Sequence, residues 1–216
     1  AGLIRKTEMQ TPEAVIVDIG NVLIEWQPER YYDARIGEAR RRALFAAVDL
    51  HSMNERVDAG GLFRETIYDT ADQHPEWATE IRWWYDHWIG LASPRIEHSI
   101  TLLRRLRAKG IPVFALTNFG DDAFAYAQTQ YDFLGEFDRA YVSGRMRITK
   151  PAPAIYAMVE ADCGIAPQAL LFADDRAENI DAAAARGWQT HLFTGPEDWA
   201  TRLHQAGLLT QTEAMP

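Results

Sequence analysis

Near its start the chain reads Ala14-Val15-Ile16-Val17-Asp18-Ile19-Gly20-Asn21-Val22-Leu23, an apolar run that ends at an aspartate and a polar loop. The run shows no alternation of apolar and polar residues, which is typical of a strand covered on both faces of a parallel sheet. Four later runs have the same character, at residues 112–116, 140–142, 170–173 and 190–193. Because amphipathic segments separate the later runs, the sequence predicts an α/β fold, a Rossmann-like doubly wound parallel sheet.

The segment between the first two predicted strands differs from the rest of the chain. Residues 28–93 contain no strand-like run, and helical patterns cover residues 39–50, 62–71 and 77–89. These patterns predict an inserted helical cap that packs as a small bundle beside the sheet. We therefore expect a Rossmann-like core at residues 1–27 and 94–216 and a helical cap at residues 28–93.

Composition and charge exclude several classes of protein. The 216 residues are 47% hydrophobic and carry a net charge of −9, which argues against disorder and against a nucleic-acid partner. No apolar run approaches the roughly 20 residues of a membrane span, so no membrane partner is expected. Residues 1–11 contain no apolar leader, and Cys163 is the single cysteine. These features favour a cytoplasmic location, and the sequence gives no indication of the oligomeric state.

Polar side chains follow the predicted strands at the points where they end. They are Asp18, Thr117, Asn118, Lys150, Asp174 and Asp175. Ligands of open α/β sheets bind beyond the carboxyl ends of the strands, so these groups are expected at one edge. Converging carboxylates repel one another, and a divalent cation relieves that repulsion. Hard oxygen ligands without His or Cys favour Mg²⁺ as the cofactor.

The remaining groups at this edge suit an anionic, phosphoryl-sized ligand. The Lys150 ammonium and the side chains of Thr117 and Asn118 are donors. Backbone N–H groups of the Gly20-Asn21 loop add further donors. Each feature alone has an ordinary structural interpretation: Asp18 as a cap, Thr117-Asn118 as a turn, and the aspartate pair as a partner of a helix dipole.

Four segments together resemble the motifs of the haloacid dehalogenase (HAD) superfamily, in that family's order. They are Val15-Ile16-Val17-Asp18-Ile19-Gly20-Asn21-Val22-Leu23, Leu116-Thr117-Asn118, Lys150-Pro151 and Phe172-Ala173-Asp174-Asp175-Arg176-Ala177-Glu178-Asn179-Ile180. The resemblance spans residues 15–193, and the helical segment resembles the family's small cap. Within the family, Asp-x-Gly-Asn-Val is similar to a subgroup of sugar-phosphate phosphatases.

The resemblance implies a role for each matching residue. Asp18 matches the nucleophile, which in the family's phosphatases forms an aspartyl-phosphate that water hydrolyses. Thr117 matches the hydroxyl that holds a phosphoryl oxygen, and Lys150 matches the lysine that orients Asp18 and neutralises charge. The implied metal ligands are Asp18, the Gly20 carbonyl, Asp175 and Asp174, the last either as a ligand or behind one. Asn179 matches a residue that steadies this loop.

Gly20 departs from the family's pattern. Most phosphatases of the family carry a second aspartate at this position, which protonates the leaving group and later activates water. Glu25, in the same loop, is one candidate substitute. Three functions therefore stay open: a Mg²⁺-dependent phosphatase of a small phosphorylated metabolite, a 2-haloacid dehalogenase that uses Asp18 as nucleophile, and a catalytically weakened binding protein.

The cap of such proteins reads the leaving group of the substrate. The candidates here are Trp26, Tyr31, Tyr32, Asn54, Arg56, Asp58, Trp83, Trp84 and Trp88. For the tryptophans, the alternative is a place in the core of the cap, because their spacing puts part of the cluster on one helix face.

Overall fold

The structure, a computed structural model, describes residues 9–216, so most of residues 1–11, where no apolar leader was expected, lies outside the described residues. Seven strands occur within residues 9–216: β1 (Ala14–Val17), β2 (Ile24–Trp26), β3 (Ala92–Arg95), β4 (Val113–Thr117), β5 (Arg139–Val142), β6 (Leu170–Asp174) and β7 (Gln189–Leu192). Five of them form a parallel sheet in the order β5-β4-β1-β6-β7. The predicted fold class is confirmed.

Thirteen α-helices occur in the same described part of the chain. They are α1 (Pro28–Ile36), α2 (Glu38–Ala47), α3 (Leu50–Asp58), α4 (Phe63–Gln73), α5 (Ala78–Asp86), α6 (Trp88–Leu91), α7 (Glu97–Ala108), α8 (Asp121–Gln130), α9 (Ser143–Met146), α10 (Pro153–Cys163), α11 (Ala177–Ala185), α12 (Pro196–Gln205) and α13 (Gln211–Ala214). Among residues 9–216, no helix combines the length and apolar character that crossing a bilayer requires.

The central strand β1 is buried on both faces, as its unbroken apolar run predicts. Val15 and Val17 join a core that includes residues of α7, α8 and α12. Ala14 and Ile16 join the opposite core, which includes residues of α10 and α11. Since successive side chains of a strand point to opposite faces, helices cover the sheet on both sides.

Helices α1 to α6 form the helical insertion, defined here as residues 28–91 between β2 and β3. The single helix predicted over residues 39–50 is divided in the structure, because Val48 is extended and Asp49 caps a new helix by accepting from the Ser52 N–H at 3.0 Å. The sequence patterns also missed α1, which begins at Pro28.

The expectation that residues 28–93 contain no strand is wrong at its carboxyl end. Ala92 begins β3, which pairs antiparallel with β2 in a two-stranded ribbon. Both connections between the sheet and the helical insertion therefore run through paired strands. The segments are three and four residues long, too short for alternation to identify them in the sequence.

A close backbone approach joins the loops that follow β4 and β5. The Gly144 N–H donates to the Phe119 carbonyl at 2.9 Å, and the Ser143 hydroxyl accepts from the Phe119 N–H at 2.9 Å. A Cβ at Gly144 would lie 2.6 Å from the Asp121 nitrogen and 2.9 Å from the Gly120 Cα. Glycine is required here because the neighbouring atoms are backbone and cannot rotate away.

We expect Gly144→Ala to lower the free energy of unfolding by about 1–3 kcal/mol, because the added methyl group forces two loops apart. Gly135→Ala is the matched control, since a Cβ at Gly135 meets no atom within 4 Å. That control should stay within about 0.5 kcal/mol of the wild type. Urea denaturation of the three proteins measures the difference, and equal stabilities would contradict the packing argument.

Candidate active site

The sheet order brings the predicted polar groups to one edge. Strand β1 lies between β4 and β6, so Asp18, Thr117 and Asp174 all stand at the carboxyl ends of adjacent strands. Thr117 and Asp174 are the last residues of their strands. The Asp18 N–H donates to the Ala173 carbonyl at 3.0 Å, which fixes its place at the edge.

Lys150 forms a buried ion-paired bridge between two of these carboxylates. Its Nζ lies 2.6 Å from Asp174 Oδ2 and 3.1 Å from Asp18 Oδ1, and it donates to the Leu116 carbonyl at 2.9 Å. Burial lowers the pKa of Lys150, but the Asp18 and Asp174 carboxylates outweigh it and raise the pKa above its usual value. The ammonium is therefore charged at neutral pH.

Asp174 is fully buried, and both of its oxygens accept hydrogen bonds. Oδ1 accepts from the Arg176 N–H at 2.8 Å, and the Asn179 amide donates to both oxygens at 3.1 and 3.0 Å. The Tyr156 hydroxyl in turn donates to the Asn179 carbonyl at 3.0 Å. These contacts, together with the Lys150 ion pair, make Asp174 the support of the lysine.

Three carboxylates form an acidic cluster around this bridge. One oxygen each of Asp18, Asp174 and Asp175 lies within 4.8 Å of the others. Burial raises the pKa of Asp18 to about 7; Lys150 opposes this rise, and Asp174 and Asp175 reinforce it. Burial and the charge of Asp174 likewise raise the pKa of Asp175. The three carboxylates repel one another, and an oxygen-preferring divalent cation such as Mg²⁺ fits them better than Zn²⁺.

The loop after Asp18 is held by Asn21. Asn21 adopts a left-handed conformation with φ of 59°, and its Oδ1 accepts from the Trp26 N–H at 2.9 Å. Its amide donates to Asp175 Oδ2 at 3.3 Å. At Gly20, by contrast, a Cβ would meet only Trp26 Cβ at 3.7 Å, an ordinary contact. The backbone therefore has room for a side chain at this position.

Thr117 and Asn118 are positioned differently from each other. Thr117 is buried at the edge and lines the site cavity. The Asn118 amide donates to the Lys150 carbonyl at 3.0 Å, and its Oδ1 accepts from the Lys150 N–H at 2.8 Å. This double hydrogen bond commits the Asn118 side chain to holding the Lys150 loop.

A cavity of about 610 Å³ opens above the acidic cluster. Helix α3 supplies much of its wall, with His51, Asn54, Glu55, Val57 and Asp58, and the next residue, Ala59, also lines it. Sequence reasoning missed His51 and Glu55, although spacings of three and four place residues 51, 54, 55 and 58 on one helix face. This polar stripe on one helix face could have identified His51 and Glu55 as cavity residues from the sequence.

The residues predicted to contact the leaving group divide into two sets. Trp26, Asn54, Asp58 and Trp88 line the cavity, whereas Tyr31, Tyr32, Arg56, Trp83 and Trp84 are absent from its lining. Trp84 and Tyr32 are fully buried in the helical insertion, where the Tyr32 hydroxyl donates to the Glu80 carbonyl at 2.7 Å. Glu25, the candidate acid of the loop, pairs with Arg30 at 2.7 Å and also lies outside the lining.

We expect Lys150→Met to destabilise the fold by about 3–5 kcal/mol, because it leaves the buried Asp174 and Asp18 carboxylates without their counter-charge. Lys109→Met removes an exposed lysine that pairs with Glu213 at 2.9 Å and should cost at most about 1 kcal/mol. Urea denaturation checks both values. Similar losses for the two variants would contradict the assignment of Lys150 as the buried bridge.

Asp18→Asn should stabilise the protein without divalent cations by about 1–3 kcal/mol at pH 8. The folded-state pKa of Asp18 is about 7, above the ordinary value of 3.8, so wild-type stability falls as pH rises from about 4 to about 7. The gain from Asp18→Asn should therefore be largest at pH 8 and shrink toward pH 4. Thermal unfolding at both pH values measures it; a gain that grows toward low pH would contradict the raised pKa.

Comparisons with known proteins agree with this geometry. A family model for haloacid dehalogenase-like hydrolases matches residues 12–187. The chain is 33% identical over 66 residues to D-ribitol-5-phosphate phosphatase from Bacteroides thetaiotaomicron, a match that spans 31% of this chain and 32% of that enzyme. The chain thus covers about a third of this curated relative.

Solved structures share the fold at low sequence identity. A HAD family enzyme from Bacteroides thetaiotaomicron has a TM-score of 0.70 at 21% identity, over 90% of this chain and 99% of the other. The wild-type form of that enzyme was crystallised with magnesium and inorganic phosphate. L-2-haloacid dehalogenase from Xanthobacter autotrophicus has a TM-score of 0.58 at 18% identity, over 94% of this chain and 86% of the other. Because the family model covers well over half of the chain, the protein belongs to the haloacid dehalogenase-like hydrolases.

Proposed function

We propose that this hydrolase is a Mg²⁺-dependent phosphatase of a small phosphorylated metabolite, with Asp18 as the nucleophile. The observation that carries the proposal is the acidic cluster of Asp18, Asp174 and Asp175 around the Lys150 ammonium. The match to D-ribitol-5-phosphate phosphatase and the magnesium and phosphate complex of the similar HAD enzyme also support it.

The donor set for magnesium follows from which oxygens are free. Asp18 and Asp175 each have one oxygen that accepts a hydrogen bond, from the Ile19 N–H and the Asn21 amide, and a second oxygen that accepts none within residues 9–216. Both oxygens of Asp174 accept hydrogen bonds. Asp18, Asp175 and Gly20 also line the cavity, whereas Asp174 does not. We propose that Asp18, Gly20 and Asp175 hold the ion and that Asp174 contributes through its charge. A bound Mg²⁺ would supply positive charge that offsets the repulsion between the carboxylates and the phosphoryl group.

The residues of the chain divide the proposed reaction between them. A carboxylate oxygen of Asp18 attacks phosphorus and forms an aspartyl-phosphate, which water then hydrolyses. The Lys150 ammonium holds Asp18 in place and stabilises negative charge that develops on the phosphoryl oxygens. The Thr117 hydroxyl and the Gly20 N–H donate to the same oxygens. The Asn21 N–H, expected from the sequence as a further donor, is instead committed to the Ile24 carbonyl at 2.6 Å. Asn118 fixes the Lys150 loop.

The proposed cap of this site is residues 28–93, which comprise the helical insertion and the first two residues of β3, and the remainder of the chain is the proposed catalytic core. Helix α3 and Asp18 line the same cavity, so α3 is proposed to contact the leaving group. A volume of about 610 Å³ suits a small metabolite. Polar side chains of α3, such as Asn54, favour a hydroxylated one.

A 2-haloacid dehalogenase is the second candidate, because that reaction needs no acid at Gly20 and one similar structure has this activity. The attack of Asp18 on carbon requires no cation. The clustering of Asp174 and Asp175 beside Asp18 therefore favours the phosphatase.

We expect hydrolysis of p-nitrophenyl phosphate in Mg²⁺ and its loss in EDTA, because the acidic cluster then repels the dianionic substrate. Asp18→Asn should lower turnover by at least about 10³-fold, as removal of a nucleophile does. Asp132→Asn, which changes an exposed aspartate outside the cavity lining, is the matched control and should retain wild-type turnover.

Two results would overturn this proposal. One is turnover that survives EDTA or the Asp18→Asn substitution. The other is chloride release from L-2-chloropropionate in EDTA, which would establish the dehalogenase instead. Tight phosphate binding without turnover of any ester would identify a binding protein.

A further inference from the structure

The absence of a side chain at Gly20 leaves the proposed phosphatase without the usual proton donor. An alkoxide leaving group is strongly basic, so its departure requires a proton from a group in the cavity. Under the proposed function, on which the assignment of this donor rests, another side chain of the cavity must supply that proton.

Few titratable groups line the cavity, and most are already committed. The lining includes Asp18, His51, Glu55, Asp58, Lys150, Asp175 and Arg176. Asp18 is the attacking group, Lys150 bridges two carboxylates, and Asp175 belongs to the acidic cluster. His51 pairs with Glu29 at 2.5 Å, and Arg176 pairs with Glu178. Glu55 and Asp58 of helix α3 remain.

Asp58 is the better held of these two acids. Its Oδ2 accepts from the Asn54 amide at 3.2 Å, and the Asn54 Oδ1 accepts from the Trp84 indole N–H at 2.9 Å. Trp84 is completely buried in the helical insertion, so this chain of hydrogen bonds anchors the carboxyl group to a rigid core. Glu55, by contrast, is exposed.

The carboxyl end of α3 is docked on the catalytic side of the molecule. The Ser143 hydroxyl, next to β5, donates to the Asp58 carbonyl at 2.6 Å. Val57 packs so closely on the loop after β4 that a Cβ at Gly120 would lie 2.4 Å from its Cγ1. These contacts hold the end of α3 against the segments that follow β4 and β5, and Asp58, Asp18 and Thr117 line one cavity.

We propose that Asp58 is the general acid and base of this enzyme, supplied by the helical insertion in place of the missing group at Gly20. Asp58 lines the same cavity as Asp18, so the leaving group of a substrate attacked by Asp18 is enclosed by a wall that includes Asp58. Asn54 and Trp84 orient it, and Ser143 fixes the end of its helix.

The protonation state of Asp58 suits this role. Burial raises the pKa of Asp58 to about 7, and the negative charges of Asp18 and Glu55 add to the rise while Lys150 opposes it. These are the charged groups that face it, from the β1 loop, from its own helix and from the loop before α10. An acid with a pKa near the working pH both gives and takes a proton readily.

The steps balance in atoms and charge. Asp18 attacks phosphorus, the bond from phosphorus to the leaving oxygen breaks, and that oxygen takes its electron pair and the Asp58 proton. The Asp58 carboxylate then removes a proton from water, whose oxygen attacks the aspartyl-phosphate. The bond between phosphorus and Asp18 breaks, which regenerates the Asp18 carboxylate and protonated Asp58 and releases hydrogen phosphate.

Asp58→Asn tests this assignment when it is assayed on two esters in rapid-mix experiments with Mg²⁺. Nitrophenolate leaves without a proton, so p-nitrophenyl phosphate should still give a burst of about one nitrophenolate per site at nearly the wild-type rate. Steady-state turnover should fall, because the phosphoenzyme now lacks its base. Propyl phosphate, which has no other hydroxyl to bind, should lose about 10²–10⁴-fold in the rate of phosphoenzyme formation.

The burst also reports folding, since a misfolded variant cannot give one. Glu55→Gln is the matched control, which removes an equal charge from the same helix face and should keep the wild-type ratio of aryl to propyl rates. If Asp58→Asn lowers the rate of phosphoenzyme formation equally for both esters, or does not lower it for propyl phosphate, the proposed role of Asp58 is overturned while the proposed phosphatase function stands. A wild-type enzyme without turnover of either ester overturns the proposed phosphatase function and this inference with it.

Discussion

The site depends on the two ion pairs that the buried Lys150 ammonium forms with Asp174 and Asp18. The ammonium lies 2.6 Å from Asp174 and 3.1 Å from Asp18, and the Lys150 side chain is 1% exposed. Charges this deeply buried are tolerated only when they are paired and hydrogen-bonded. The Asn179 amide, the Arg176 N–H and the Leu116 carbonyl provide those bonds. Several loops must therefore be correctly placed before the ammonium is stable, and the same placement aligns Asp18.

Much of this edge was predictable because it follows from strand order and strand ends. Each buried run of the sequence ends in a polar residue, and parallel strands put those ends together. The positions of Asp18, Thr117 and Asp174 needed no knowledge of loop geometry. The different roles of Asp174 and Asp175 could not be predicted without that knowledge, since both are acids in adjacent positions. Only the hydrogen bonds to Asp174 show that it supports Lys150 while Asp175 faces the cavity.

The helical insertion was less predictable, because its residues are placed by packing rather than by chain order. Tyrosines such as Tyr32 are common in ligand-binding sites. In this structure, however, the Tyr32 side chain is buried and its hydroxyl donates to a backbone carbonyl. An aspartate such as Asp58 is usually found on the protein surface. Here the close approach of Val57 to Gly120 holds its helix against the loop after β4, and Asp58 lines the cavity. Short paired segments such as β2 and β3 carry no periodicity that distinguishes them from loops.

The ribbon of β2 and β3 ties the entry and the exit of the helical insertion to each other. These two strands therefore carry the chain into and out of the insertion at one place on the core. The end of α3 makes a second attachment, through the Ser143 hydroxyl and the close approach of Val57 to Gly120. Within residues 9–216, the hydrogen bonds of Lys150 and Asp174 involve no residue of the insertion. Substitutions of α3 side chains can therefore reshape the cavity wall while the buried ion pairs of the core keep their partners.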